Sequence, residues 1–222
     1  MKFIRGGYSM KLFKHDLILN FCKNKKVLHI GAVDSPYHLE RFNNGTLLHL
    51  KLQKNCKEVV GIDVDKKAIK ELENLGIDNI FYGDVCEDSY EVNLKAMRFD
   101  YIVFSDVIEH LDNPGLALAN IKKIMEKDTE LILTTPNVFS YTNIMTHITG
   151  KENVHPDHTF QPSYKTMCKL FGNNDLKIDY FTYCFWGSHE ESNTWKMRLF
   201  CKLIANRRKY IMPVLFFILE VK

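Results

Sequence analysis

Short apolar runs, each stopped by a glycine or an aspartate and separated from the next by an amphipathic segment, set the tightest limit on how this sequence folds. Val27 to Ile30 ends at Gly31, and Val59 to Ile62 ends at Asp63. Ile80 to Tyr82, Tyr101 to Phe104 and Leu131 to Leu133 continue the series. Runs this short and this apolar read as strands buried on both faces, and strands that alternate with helices pair in parallel. The expected fold class is α/β, a doubly wound and mostly parallel sheet.

The segments between carry helix signals. From Leu12 to Phe21, the residues Phe13, Leu17, Ile18 and Phe21 recur at helical spacing. Asp34-Ser35-Pro36 reads as a helix start with proline at the first helical position, and Asn43-Asn44-Gly45 as a turn into a helix from Leu47 to about Gln53. Asp65 can cap a helix whose Ala68, Ile69, Leu72 and Leu75 share a face and which Gly76 ends. Asn113 and Pro114 open another. After Gly150 comes a loop rich in histidine and proline, then a helix from about Ser163 to Phe171 closed by Gly172, then a strand from Ile178 to Phe185. A helix from Trp195 to about Asn206 precedes a terminal strand, Pro213 to Val221. That last apolar stretch falls far short of the roughly 20 residues that span a bilayer, so it reads as a buried strand.

With 222 residues and 45% hydrophobic content, the chain can bury one sizeable core, and a single domain over residues 1–222 is expected. Its formal charge of +3, from 30 basic against 27 acidic residues, is too balanced to argue for a nucleic-acid partner. The cysteines Cys22, Cys56, Cys86, Cys168, Cys184 and Cys201 form no CxxC pair, and the N-terminus has no long apolar run. A reducing, cytoplasmic setting is expected from both.

Ligands of doubly wound sheets lie at the carboxyl ends of the strands, where the strand order reverses. Four such ends carry suitable residues. Gly31 lets backbone amides approach a ligand, Asp63 can accept both hydroxyls of a ribose, and Asp84 can receive an adenine amino group. Ser105-Asp106 lies beside the space for the reacting end.

Taken in order, these ends resemble the class I S-adenosylmethionine-dependent methyltransferases. The stretches that carry the resemblance are Val27-Leu-His-Ile-Gly31, Val59-Val-Gly-Ile-Asp63-Val64-Asp65, Gly83-Asp84-Val85, and Phe99 to Pro114 with its Asp106-Val-Ile-Glu109-His110-Leu core. The Asp-x-x-Glu-His-Leu-x-x-Pro run is similar to the group that includes ubiquinone-biosynthesis enzymes and methyltransferases of polysaccharide and natural-product pathways. Thr134 to Asn137 and Asn153 to Phe160 look like the sugar-pathway branch.

The resemblance implies a Rossmann-like, seven-stranded sheet with an antiparallel last strand. It also implies transfer of a methyl group from S-adenosyl-L-methionine, here to an oxygen of a glycan or small-molecule acceptor, by a chain that can be a homodimer. His29, Gly31, Ala32, Asp34, Asp63, Val64, Asp84, Val85 and Ser105 are the expected cofactor residues. One departure stands out: His29 occupies the place of the family's usual acidic residue, and Asp34 is the carboxylate available to replace it. Because no Gly-x-Gly-x-x-Gly follows β-type residues at Gly31, a dinucleotide oxidoreductase is the weaker reading. A binding protein that has lost the cofactor is the non-enzymatic rival.

Methyl transfer is an in-line displacement, so a base is needed only where the acceptor oxygen must lose a proton. His110 is the expected base, with Asp106 or Glu109 orienting its ring if the run from Asp106 makes one helical turn. His158 is the second candidate, from a loop closing over the acceptor. His155, Asp157 and His158 alone fall short of a metal ligand set, and no metal is expected. Tyr183, Phe185 and Trp186 can stack on a sugar, although alternation along a strand sends at least one of them into the core.

Overall fold

The computed structural model describes residues 13–188 and 209–222. Eight strands form one sheet: β1 (Lys26–Ile30), β2 (Glu58–Asp63), β3 (Ile80–Asp84), β4 (Ser89–Tyr90), β5 (Tyr101–Ser105), β6 (Glu130–Pro136), β7 (Leu176–Cys184) and β8 (Val214–Val221). Their order across the sheet is β4-β3-β2-β1-β5-β6-β8-β7. Strands β1, β2, β3, β5 and β6 pair in parallel. β8 runs antiparallel to both β6 and β7, as expected of the last strand. The strand beyond the expected seven is β4, a two-residue antiparallel edge against β3 that is too short to leave a periodic signal.

Helices α1 (Lys14–Cys22), α2 (His38–Asn43), α3 (Leu48–Asn55), α4 (Lys66–Asn74), α5 (Pro114–Lys122), α6 (Tyr141–Ile148) and α7 (Tyr164–Asn173) connect the strands. The alternation along each strand decides which helices it meets. Leu28, Ile30, Ile102, Phe104, Leu131 and Leu133 join a core with Leu118 and Ile121 of α5 and Phe171 of α7. Val27, Val103, Ile132 and Ile218 point the other way, onto Leu17 and Ile18 of α1 and Leu52 of α3. Both faces of the sheet are therefore covered, which is why its strands read as unbroken apolar runs. Phe217 of β8 packs against Phe171 and Phe181 at ring-centroid distances of 5.0 and 4.8 Å, so the terminal strand is a core element. Among the described residues no helix is long and apolar enough to cross a membrane.

Local signals place most helix ends. Asp65 accepts from the Ala68 N–H at the start of α4, and Asn113 accepts from Leu116 at the start of α5. Ser163 and Thr166 form a reciprocal cap on α7. Three expectations need correction. α2 starts at His38, because Asp34 takes a left-handed conformation (φ 65°) and pairs through its side chain with Arg41, leaving Pro36 ahead of the helix. α7 runs through Gly172, and glycine ends no helix there because it keeps right-handed geometry. α6, capped by Ser140, follows β6 where no helix was expected. The helix expected from Trp195 to Asn206 lies outside the described residues, as do Cys201, Arg207 and Arg208.

Candidate active site

The strand order reverses between β1 and β5, and the loops after β1, β2, β3 and β5 surround a cavity of about 520 Å³. Gly31, Asp63, Val64, Asp84, Val85 and Ser105 are among its lining residues. A volume of this order suits a ligand the size of a nucleoside. Gly31 stands at φ 74°, and a Cβ there would come within 2.4 Å of Val107 Cγ2. Only glycine lets the loop after β1 pass this close to the loop after β5. Asp63 accepts from the Val33 and Asp65 N–H groups, both at 3.0 Å, one bond through each oxygen. Each oxygen keeps a further lone pair, so the carboxylate can still receive two hydroxyls. Burial raises its pKa, and the backbone bonds pull the other way. Asp84 is held similarly, one oxygen accepting from Cys86 at 2.7 Å. Val64 is 58% exposed for an apolar residue and offers the cavity a hydrophobic wall.

His29 lines the same cavity, and its ring is held in a hydrogen-bonded pair with His49. Asn79 Nδ2 donates to the Val59 carbonyl, which fixes its Oδ1 as an acceptor for His49 Nε2 at 3.1 Å. His49 Nδ1 must then accept, and His29 Nδ1, 3.3 Å away, donates to it. The two rings lie parallel at 5.5 Å. Burial lowers both pKa values, that of His49 to about 4, so the pair is neutral at physiological pH. Asp34 is one of the carboxylates that line the cavity, and it reaches a second cavity as well.

That second cavity, about 1090 Å³, lies beyond the end of β5. The two share Lys14, Asp34, Arg41, Asp106, His110 and Asp157 as lining residues, so they meet at this wall. Asp106 is left-handed (φ 55°), and only a 3₁₀ turn, Ile108–His110, follows it. The helical turn expected to align Asp106 with His110 is thus absent. Asp106 is instead fixed by Thr134, whose Oγ1 donates to it at 2.9 Å, and by an ion pair with Lys14. Thr134 Oγ1 also lies 2.9 Å from Ser105 Oγ.

Glu109 and His110 do not orient each other. His110 Nδ1 lies 3.1 Å from the Asp157 carbonyl oxygen, which can only accept. In the neutral ring Nδ1 therefore carries the proton, and Nε2 keeps its lone pair. Glu109 is 1% exposed; its Oε2 accepts from Thr135 Oγ1 at 3.0 Å, while its Oε1 has no hydrogen-bond partner. Burial, followed by the charge of Asp106, pushes the Glu109 pKa up to about 8. Thr159 donates from its N–H to the Glu109 carbonyl at 2.9 Å and from Oγ1 to the Leu111 carbonyl at 2.8 Å. These bonds fasten the histidine-rich loop onto the 3₁₀ turn. His158 thereby comes to 4.7 Å, ring to ring, from His110, and burial lowers its pKa.

Of the three aromatic candidates, Trp186 reaches the cavity, with Lys14 Nζ 5.0 Å from its ring centroid. Phe185 is buried against Phe13, and Tyr183 packs on Phe181. Lys14, His15 and Arg41 line the site without having been picked out in the sequence. Nothing local marks them: Lys14 opens a helix, and only the fold brings it to the end of β5.

A family model for a methyltransferase domain matches residues 22–180, which hold all the strand ends described above. The chain belongs to the methyltransferase domain family. It is an enzyme of that family, and its fold is shared with solved methyltransferases. A SAM-dependent methyltransferase from Archaeoglobus fulgidus superposes with a TM-score of 0.52 at 19% identity, over 94% of this chain and 95% of the other. Another from Aquifex aeolicus gives 0.57 at 11% identity, over 96% and 92%. Magnesium protoporphyrin IX methyltransferase from Synechocystis, solved with bound SAH, gives 0.56 at 12% identity, over 94% and 82%. Among curated proteins, none matches the sequence significantly.

Proposed function

We propose that this methyltransferase uses S-adenosyl-L-methionine to methylate a hydroxyl oxygen of a small-molecule or glycan acceptor. The observation that carries the reading is the meeting of two cavities at His110, one of nucleoside size and one lined by ionisable side chains. Asp63 would hold the ribose hydroxyls, Asp84 and Val85 the adenine end, and Gly31 and Ala32 the backbone approach. Asp34 and Arg41, already paired, match the ammonium and carboxylate of the methionine end. That end would lie at the shared wall, with the sulfonium beside Asp106.

The acceptor then occupies the larger cavity, where Trp186 offers a face for a sugar or an aromatic ring. Bond formation needs the acceptor oxygen in line with the methyl group and free of its proton. Glu109, His110 and His158 are the groups placed to assist that proton's departure.

Titration calorimetry with S-adenosylmethionine, followed by incubation with methyl-labelled cofactor and a panel of phenols and sugars, tests this. Saturable binding and a labelled methyl ether detected by mass spectrometry support it. Absence of binding at millimolar cofactor would instead favour a binding protein built on this fold.

A further inference from the structure

His155, Asp157 and His158, which fall short of a ligand set in the sequence, are not the group that the fold brings closest to one. One ligand atom each from Glu109, His110 and His158 lies within 4.8 Å of the others. We propose that these three residues bind a divalent transition-metal ion, such as zinc, whose open positions face the acceptor cavity. The site deepens the methyl-transfer reading, since only its catalytic role depends on that reading.

Four observations support it. Two imidazole nitrogens and one carboxylate oxygen form a donor set for borderline cations, and three protein ligands leave room for water or substrate. Glu109 Oε1 is buried without a hydrogen-bond partner, a costly position for a polar atom that a bound cation would relieve. The Asp157 carbonyl holds the Nδ1 proton of His110 and so reserves Nε2 for a ligand. Thr135 likewise fixes Glu109 through Oε2. Such outer partners are what set ligand orientation in metal sites. Donors around a tetrahedral ion lie roughly 3.4 Å apart at ordinary zinc–ligand distances. Closing the group from within 4.8 Å therefore takes at most about 1.4 Å of side-chain adjustment.

Bound there, the ion would take the acceptor hydroxyl as a further ligand and lower its pKa, with the proton released to water. An oxygen lone pair then forms the new O–C bond to the methyl group. The C–S bond breaks with its electrons remaining on sulfur, leaving the thioether and a methyl ether, and the ion is unchanged.

Cobalt(II) tests the site without any acceptor or cofactor. Chelator-stripped full-length protein should bind one equivalent, read from visible d–d absorption and calorimetry. His158→Ala should weaken binding at least roughly tenfold, and Glu109→Gln likewise, with S-adenosylmethionine affinity and melting temperature little changed. His158 is partly exposed, so its replacement does not threaten the core. His155→Ala should leave cobalt affinity unchanged. No binding at millimolar cobalt, or equal affinity in wild type and His158→Ala, would overturn the proposal. Cobalt binding without S-adenosylmethionine binding would remove the methyl-transfer reading and leave the metal site standing.

Discussion

Lys14, in the first turn of α1, pairs with Asp106, just past the end of β5, across a separation of 92 residues. The start of α1 is also clamped from outside the sheet: the Lys14 N–H donates to the Phe185 carbonyl and the His15 N–H to the Gly187 carbonyl, both at 2.8 Å. Asp106 lies where the two cavities meet, so this pair ties the N-terminal helix to the wall between them. The Lys14 side chain is 8% exposed and that of Asp106 22%, which leaves little water to compensate either charge alone.

Lys14→Met should therefore destabilise the protein by about 2 to 3 kcal/mol, somewhat below the loss seen when a fully buried pair is broken. Urea unfolding measures it. A double-mutant cycle with Asp106→Asn should show that most of the loss is coupling between the two residues. Additive effects would mean that Lys14 acts through its packing on Trp186 instead.

Asp63→Ala should weaken S-adenosylmethionine binding by about 1.5 to 3 kcal/mol, the value of a bidentate charged hydrogen bond. The same carboxylate joins the loops after β1 and β2, so calorimetry must be paired with a melting curve. Unchanged cofactor affinity in a folded variant would detach Asp63 from the ribose.

The strand ends were legible because each is a local pattern, an apolar run closed by one residue type, and the same logic gave Asp65 and Asn113 as caps. The site's other half was not. His110 and His158 are 48 residues apart, and it is Thr159, bonding to the Glu109 and Leu111 carbonyls, together with the Asp157 carbonyl against His110 Nδ1, that brings the loop down onto the 3₁₀ turn. Asp106 was misjudged for a similar reason. Its left-handed backbone depends on Thr134 and Lys14 from other elements, which no helical spacing encodes. His29 looked like an isolated departure from a motif, whereas its meaning lies in His49 and Asn79 beyond the next helix.

That buried pair predicts acid sensitivity. Both folded pKa values are depressed, that of His49 from 6.5 to about 4, so the unfolded chain takes up protons first as pH falls. Stability is fully present above about pH 6.5 and is lost toward pH 4, by on the order of 3 kcal/mol for His49. Urea unfolding at several pH values should show wild type losing stability faster than His49→Gln, which keeps a donor toward Asn79. Parallel pH profiles for the two proteins would count against the assignment.

The acceptor side gives the last prediction. His110 lines both cavities, its ring is fixed by the Asp157 carbonyl, and one of its ring nitrogens lies within 4.8 Å of ligand atoms of Glu109 and His158. Whether it receives the hydroxyl proton itself or holds a cation that acidifies the hydroxyl, removing it costs the activation of the acceptor and none of the cofactor's contacts at Asp63 or Asp84. His110→Ala should accordingly lower kcat by on the order of a hundredfold, with S-adenosylmethionine affinity unchanged. His158→Ala should show a loss of similar size, because the two rings are 4.7 Å apart and both line the larger cavity. His155 lies outside that trio of ligand atoms, so His155→Ala should retain most activity. Release of S-adenosylhomocysteine under saturating cofactor measures all three. Near-normal turnover in both His110→Ala and His158→Ala would show that alignment of the acceptor with the methyl group is sufficient and that its proton needs no help from these residues.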